Sequence, residues 1–470
     1  MIKKILNKEI YGAFLFLFLI SSINSPPSIP SEFDILNLFN FFRGIAPLLV
    51  FGFLLFFFLK KSFSLSKNSI LFLIFISSQL VGYINNDNRN LFDLYWIICA
   101  YSLVFLIEFY SNDLKRIKSL LLIFLFFLIS IASVISYSII VEEVSKFFFN
   151  INYLSSIYSS GVLAENQSFL GQSVPRSSGY CRMLLVIFFL LFSLVLCQNN
   201  HDLKKYNGNL KKIIFYIIFI YIGLIFWKTQ NRGTLYFYLI IFLSYLGYTI
   251  YSPKKVNIIR FFLIFLIPII LFNLELNLKI HLTKLETQKM LEEKLLNKTD
   301  TLLNLNELNK WHESYKKNQI EILRNNNSRW KTPKETSGRI QIWKESIIVI
   351  KKNLVFGQGP QSDRNLIGKN ASNIFIYIFL CGGLFSFLML SIYLLNLVSQ
   401  YLRFIINFGI KNFDKDYLLI FSNLCVFFFL FRGLVENSFS VFGIDMILFL
   451  LSIKYIEIFI DHQNSYHKRS

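Results

Sequence analysis

The feature that most constrains this chain is the recurrence of long apolar runs that do not alternate with polar residues, such as 124–131 and 184–196. A strand of a membrane barrel alternates lipid-facing and lumen-facing side chains, so runs of this kind exclude a barrel and read as helices solvated by lipid. With 54% hydrophobic residues, 54 Phe and 24 Tyr among 470, the chain lies far outside the composition of a soluble globular protein. The reading is an all-α, polytopic membrane protein.

Apolar runs of about 17–25 residues place twelve transmembrane helices at 10–24, 36–59, 69–84, 91–110, 119–141, 179–197, 213–229, 233–252, 257–275, 372–398, 417–435 and 438–460. Lys3, Lys4 and Lys8 precede the first run, and Ser-Ser-Ile-Asn-Ser-Pro-Pro follows it without a small-residue cleavage site, so an uncleaved first helix is expected. With the N-terminus inside, the cytoplasmic segments carry Lys60, Lys61 and Lys67; Lys115, Arg116 and Lys118; Lys204, Lys205, Lys211 and Lys212; Lys254, Lys255 and Arg260; Arg403, Lys411 and Lys415; and Lys468 and Arg469. The short outer loops hold only Arg89, Lys146, Arg176, Lys228 and Arg232. That contrast satisfies the positive-inside rule and puts both termini in the cytoplasm. The net charge of +20 is therefore read as topology, with no nucleic-acid partner. Cys99, Cys181, Cys197, Cys381 and Cys425 all sit in or at the end of apolar spans, with no CxxC and no His at metal spacing, so neither a disulfide framework nor a metal site is expected.

This topology places a long polar insert, 276–371, outside the membrane between the ninth and tenth spans. It divides the chain into 1–275 (helices one to nine), a helical periplasmic loop domain at 276–371, and 372–470 (helices ten to twelve and a short tail). Residues 276–325 are rich in Leu, Lys, Glu and Gln and predict amphipathic helices. After a polar linker a second helix is expected, with Ser337 as its N-cap, an apolar stripe of Ile340, Trp343, Ile347 and Ile350, and an end near Asn353. The Gly357-Gln358-Gly359-Pro360 turn then leads back to the membrane, making the insert a lid.

Lysine dominates the cytoplasmic loops, whereas arginine collects at the outer side. Arg43 lies about 10 Å inside the second span at the rise of an α-helix; Arg176 and Arg182 flank the start of the sixth span; Arg232 lies between the seventh and eighth; Arg432 is near the outer end of the eleventh; and Arg339 and Arg364 come from the insert. Charged groups in apolar spans usually face the protein interior or a wet cavity. A guanidinium fork matches phosphate oxygens and stays charged, so converging arginines suit a phosphate or pyrophosphate. The competing accounts are snorkelling to headgroups and internal ion pairs, of which Arg432 with Glu436, spaced i,i+4, is one.

The segment Thr229-Gln230-Asn231-Arg232-Gly233-Thr234 and the downstream Ser337-Gly338-Arg339 with Trp343 resemble the O-antigen ligase and O-antigen polymerase family of multi-pass glycosyltransferases. Further marks are the large late outer loop, the Gly357-Gln358-Gly359 turn, Asn373 with Gly382-Gly383, and the closing run 432–437 followed by Phe442-Gly443-Ile444-Asp445. The resemblance implies a bacterial inner-membrane enzyme of surface-polysaccharide or lipopolysaccharide biosynthesis. It would transfer a glycan from undecaprenyl pyrophosphate to an acceptor hydroxyl on the periplasmic face. The acceptor would be lipid A-core sugar for a ligase or another carrier-linked glycan for a polymerase, with a chain-length regulator as a further partner. No cofactor is implied. Arg232 and Arg339 would be catalytic, holding the departing pyrophosphate, and Arg176, Arg182, Arg43, Asn373 and Arg432 would bind substrate. The family commonly has His immediately before that Asn, acting as a base in the ligases. Here the position is Ser372, which is no base near neutral pH. Glu335, Asp363, His281 and His312 are the outer candidates for that role.

Two other readings compete. Glu32 and Asp34 in the first outer loop have the form of a divalent-cation site of a metal-dependent lipid-linked glycosyltransferase. Alternatively Arg43, Asp93, Glu108, Arg182, Asp445 and Glu457 mark the path of a polysaccharide or lipid flippase. Concentration of charge at the outer boundary, and the lack of a pair of Gly/Pro-broken spans, argue against the second.

Overall fold

A computed structural model of the chain describes residues 2–21, 35–84, 91–111, 113–149, 168–169, 172–173, 177–197, 209–229, 232–251, 265–274, 277, 339–408 and 416–467. These residues are helical apart from turns and one antiparallel pair of two-residue strands, β1 (Ser168–Phe169) and β2 (Gln172–Ser173). The helices are α1 (Ile2–Ser21), α2 (Ile35–Leu59), α3 (Lys67–Ile84), α4 (Leu91–Tyr110), α5 (Leu114–Phe149), α6 (Ser177–Cys197), α7 (Asn209–Thr229) and α8 (Arg232–Tyr251). A helical stretch at 265–274 follows, then α9 (Arg339–Lys352), α10 (Ser362–Ile367), α11 (Ile374–Phe408), α12 (Tyr417–Gly433) and α13 (Ile444–His467).

Five described segments are long and apolar enough to cross a membrane: Lys67–Ile84, Asp93–Tyr110, Leu114–Tyr137, Gly179–Cys197 and Ile374–Arg403. Shorter apolar stretches lie at Tyr11–Ser21, Gly44–Leu59, Ile213–Trp227, Gly233–Ser244 and Tyr417–Gly433. The last expected span, 438–460, is displaced. Residues Ser438–Ser440 form a 3-10 turn, and the helix begins only at Ile444.

Contacts divide the chain into two units. The unit comprising Phe127–Leu191 and Lys204–Glu335 is built on aromatic packing. Phe188 meets Phe219 and Tyr238, each at 5.2 Å between centroids, and Tyr238 meets Phe265 at 5.2 Å. Edge-to-face rings of this kind fill a helical interface without needing polar partners. The front of the long insert, including His281, His312, Glu335 and Ser337, lies outside the described residues, as do Glu32, Asp34 and Arg176.

The other unit, Met1–Phe126, Phe192–Leu203 and Thr336–Ser470, is organised by the antiparallel packing of α3 against α11. Their register is pinned at four levels. Asn68 Nδ2 donates to Gln400 Oε1 at 2.8 Å and Asn396 Nδ2 to Asn68 Oδ1 at 2.5 Å. Phe72 packs edge-on against Tyr393 at 5.4 Å, and the Ser78 and Ser386 hydroxyls are 2.5 Å apart. At the far end Gly82 lies against the backbone of Cys381 and Gly359; a Cβ there would fall 2.3 Å from the Cys381 carbonyl oxygen. Small residues let helical backbones approach this closely within a membrane.

That close approach coincides with a break in α11. Gly383 has φ 59° and ψ −153°, a conformation essentially reserved for glycine. Breaking a helix strands carbonyls before the break and N–H groups after it, which lipid cannot satisfy. The segment after α9 supplies partners for four of these groups. Gln358 N–H donates to Leu380 O and Gly359 N–H to Cys381 O, both at 2.7 Å; Leu384 N–H donates to Leu354 O at 2.9 Å and Phe385 N–H to Val355 O at 3.2 Å. Gly357 and Gly359, at φ 71° and 94°, make the turn that permits it. The expected Gly-Gln-Gly turn is thus a plug for a discontinuous helix.

Candidate functional site

Around the N-terminal end of α11 and the C-terminal end of α12, four pieces of chain are tied by side-chain hydrogen bonds. The first is α9, whose observed end at Lys352 agrees with the expected one. Its buried face differs from the expected stripe: Ser346 and Ile350 are buried, whereas Ile340 and Ile347 are exposed. Arg339 and Trp343 anchor its first turns. The Trp343 indole donates to Ala371 O at 2.8 Å, and Arg339 Nη2 donates to Glu436 Oε1 at 3.0 Å.

The second piece is α10, entered through Gln361 in the left-handed region at φ 58°. This conformation turns the fully buried Asp363 inward. Its Oδ2 accepts from Ala371 N–H at 3.0 Å and Asn437 Nδ2 at 3.2 Å, while Oδ1 accepts from Arg364 N–H at 3.0 Å. Burial pushes the Asp363 carboxyl above the usual carboxylate range, and these hydrogen bonds oppose the shift. With no exposed surface and both oxygens engaged, Asp363 is an organiser of the loop.

The third piece, 371–373, carries two candidates. Asn373 is the N-cap of α11: its Oδ1 accepts from Phe375 N–H at 2.9 Å and Ile376 N–H at 3.1 Å, and its Nδ2 donates to Leu434 O at 2.8 Å. Every hydrogen-bonding group of that amide except one amide hydrogen is therefore used in fastening helices. Ser372 is left-handed at φ 51°, its N–H donating to Asn370 Oδ1 at 2.8 Å.

The fourth piece is the turn after α12. Arg432 forms an ion pair with Asp445, while Glu436 pairs with Arg339. The two arginines are unlike in setting: Arg432 and Asp445 side chains are 12% and 7% exposed, against 38% and 27% for Arg339 and Glu436. Arg339 therefore keeps donors at a surface that a ligand can reach. Arg432 serves the packing of α12 on α13.

Of the remaining arginines, Arg43 is described only as the ninth residue of α2 and Arg232 only as the first of α8. Arg182 is half-buried near the start of α6, in the other unit together with Arg232. The acidic groups of the transport reading are engaged in helix contacts. Asp93 Oδ2 accepts from Asn365 Nδ2 at 2.7 Å, and Glu108 and Glu457 both bind Lys454 Nζ, at 2.9 and 3.2 Å.

With the geometry assembled, comparison with known families supplies the decisive observation. Residues 215–391 match the O-antigen ligase family. Over these residues, less than half of the chain, the protein is similar to O-antigen ligases, which supports an O-antigen ligase/polymerase assignment and, at that coarse level, a membrane protein of glycosyltransferase type. No curated protein and no solved structure matches the chain. Within the O-antigen ligase segment fall Arg232-Gly233, Gly338-Arg339, Trp343, the Gly357-Gln358-Gly359 turn, Asn373 and Gly382-Gly383. Three of these are explained by packing: the turn and the glycine pair by the broken helix, and Asn373 by its capping role. Sequence reasoning missed Asn437 and the Arg339–Glu436 pair. The only signal for the latter was an acid three residues beyond the end of α12, which helical spacing assigned to Arg432 instead.

Proposed function

We propose that this protein is an O-antigen polymerase or ligase-like glycosyltransferase, crossing the bacterial inner membrane twelve times with both termini in the cytoplasm. Its donor is a glycan on undecaprenyl pyrophosphate. Its acceptor is a sugar hydroxyl of lipid A-core or of a second carrier-linked glycan at the periplasmic face. The reaction breaks the bond between the anomeric carbon and the pyrophosphate oxygen, and charge builds on that oxygen as it leaves. Arg339 and Arg232 are each assigned an electrostatic role toward it, and Arg176, Arg182 and Arg43 a role in binding substrate. Charged donors fixed in a poorly hydrated site act strongly on developing charge, and loss of one costs about 10²–10³-fold in turnover.

The observation that carries this reading is the setting of Arg339, a partly exposed arginine held at one Nη within the family-matched segment. The engagement of Glu108, Glu457 and Asp93 with neighbouring helices disfavours a transport path. The test is replacement of Arg232 or Arg339 by Ala, which is expected to abolish glycan transfer while the protein still accumulates folded in the membrane. Normal surface polysaccharide in both strains would refute the reading. A deletion strain sorts the two activities: single-repeat caps identify a polymerase, and accumulated carrier-linked polymer identifies a ligase.

A further inference from the structure

The family's usual base position is occupied by Ser372, and the two hydrogen-bond ties beside it leave one carboxylate in place. Leu434 O is bound by Asn373 Nδ2, and Asn437 Nδ2 shares Asp363 Oδ2 with Ala371 N–H. Ser372 lies between the partners on one strand of chain, Ala371 and Asn373. Glu436 lies between their counterparts on the other, Leu434 and Asn437. Glu436 therefore lies in a segment tied on either side to the one that carries Ser372, directly through Asn373 and Leu434 and by way of Asp363 at the other end. Glu436 is 27% exposed, and its Oε1 accepts from Arg339 while no partner of Oε2 is found among the described residues. Asp363, the other carboxylate of this cluster, is fully buried with both oxygens engaged.

The geometry points to Glu436 as the catalytic base, an inference that rests on the glycosyl-transfer reading above. Its Oε2 takes the proton of the acceptor hydroxyl as that oxygen forms its bond to the anomeric carbon. The carbon–oxygen bond to the carrier pyrophosphate breaks, and its electron pair leaves on the phosphate oxygen. Protonation neutralises Glu436 and so releases Arg339 from its counter-ion. The full guanidinium charge becomes available at the moment negative charge grows on the leaving group. One ion pair thereby couples deprotonation of the acceptor to stabilisation of the departing carrier. A histidine at position 372 would supply only the first of these.

The experiment uses the full-length protein in phospholipid nanodiscs, with carrier-linked repeat units extracted from the producing strain and the lengthening or transferred glycan followed on gels. Glu436→Gln keeps an acceptor for Arg339 and removes the base, and turnover should fall by about 10²–10⁴-fold with the unfolding temperature preserved. Glu436→Ala opens space for a small carboxylate, and added formate should restore transfer to it in proportion to concentration but not to Glu436→Gln. Near-wild-type turnover of Glu436→Gln overturns the inference. So does a defect in Glu436→Ala that formate leaves untouched, since that reduces Glu436 to a partner of Arg339. The wild-type protein separates the two levels: failure of the wild type to transfer glycan sinks the functional reading itself, whereas an active wild type beside an equally active Glu436→Gln sinks only the assignment of the base.

Discussion

Two charged clusters in the same structural unit, of similar composition, are built in opposite ways. Lys454 bridges Glu108 and Glu457 between α4 and α13, with the lysine 10% and Glu108 4% exposed. Ser69 Oγ and Ser66 N–H also donate to Glu108, so the carboxylate that remains after pairing is still hydrogen-bonded. The Arg339–Glu436 pair has no such casing and is roughly one-third exposed on each side. A buried ion pair is costly to disrupt because removing one member strands the other in a medium that cannot solvate it. An exposed pair contributes little to stability and remains available for chemistry. The first cluster is a fastener of the helix bundle, and the second is equipped to change partners.

The comparison can be broken most severely at Lys454. Lys454→Met strands the buried Glu108 and the half-buried Glu457, and a loss of about 3 kcal/mol is expected, read as a lowered unfolding temperature of the detergent-purified protein. Arg339→Ala should shift stability by less than about 1 kcal/mol while abolishing transfer. Equal unfolding temperatures for the two variants would erase the distinction. Next in size is Gly383→Ala, at the break that joins the second cluster to the bundle. A methyl group there meets the Val355 carbonyl oxygen at 2.4 Å in a backbone conformation only glycine tolerates. About 1–3 kcal/mol of strain is expected, together with reduced transfer, and full activity would show that the plug and the site are independent. The smallest effect is expected from Trp343→Phe, which removes one hydrogen bond to Ala371 and should lower stability by about 1 kcal/mol, checked in the same unfolding assay.

Helix positions were largely legible because lipid imposes one rule on every span, and apolar run lengths express it directly. The start of α13 was not. Ser438–Ser440 and Phe442 continue the apolar character of 438–460, yet Ser438 at φ 42° and the Ser440 hydroxyl bound to Asn437 O turn the chain before the helix begins. The site was legible in part. Arg339 and Trp343 stood out because Gly338-Arg339 with Trp343 four residues on is a mark of the family resemblance. Glu436 and Asn437 did not, because their partners lie 97 and 74 residues away in sequence. Asn373 shows a second, structural role beside the one read for it. Its place at the head of a span looked like a ligand position, and helix capping accounts for its contacts.

The discontinuity in α11 also decides which part of this assembly can move. Were the 354–359 turn to swing away, four main-chain groups of 380–385 would be bared at once in surroundings without water. Each such group carries a penalty of several kcal/mol in hydrocarbon. The turn is accordingly a strut and not a hinged cover. Any opening is thereby restricted to the opposite end of α9, whose first turns are tied, among the described residues, by one salt bridge and one indole hydrogen bond.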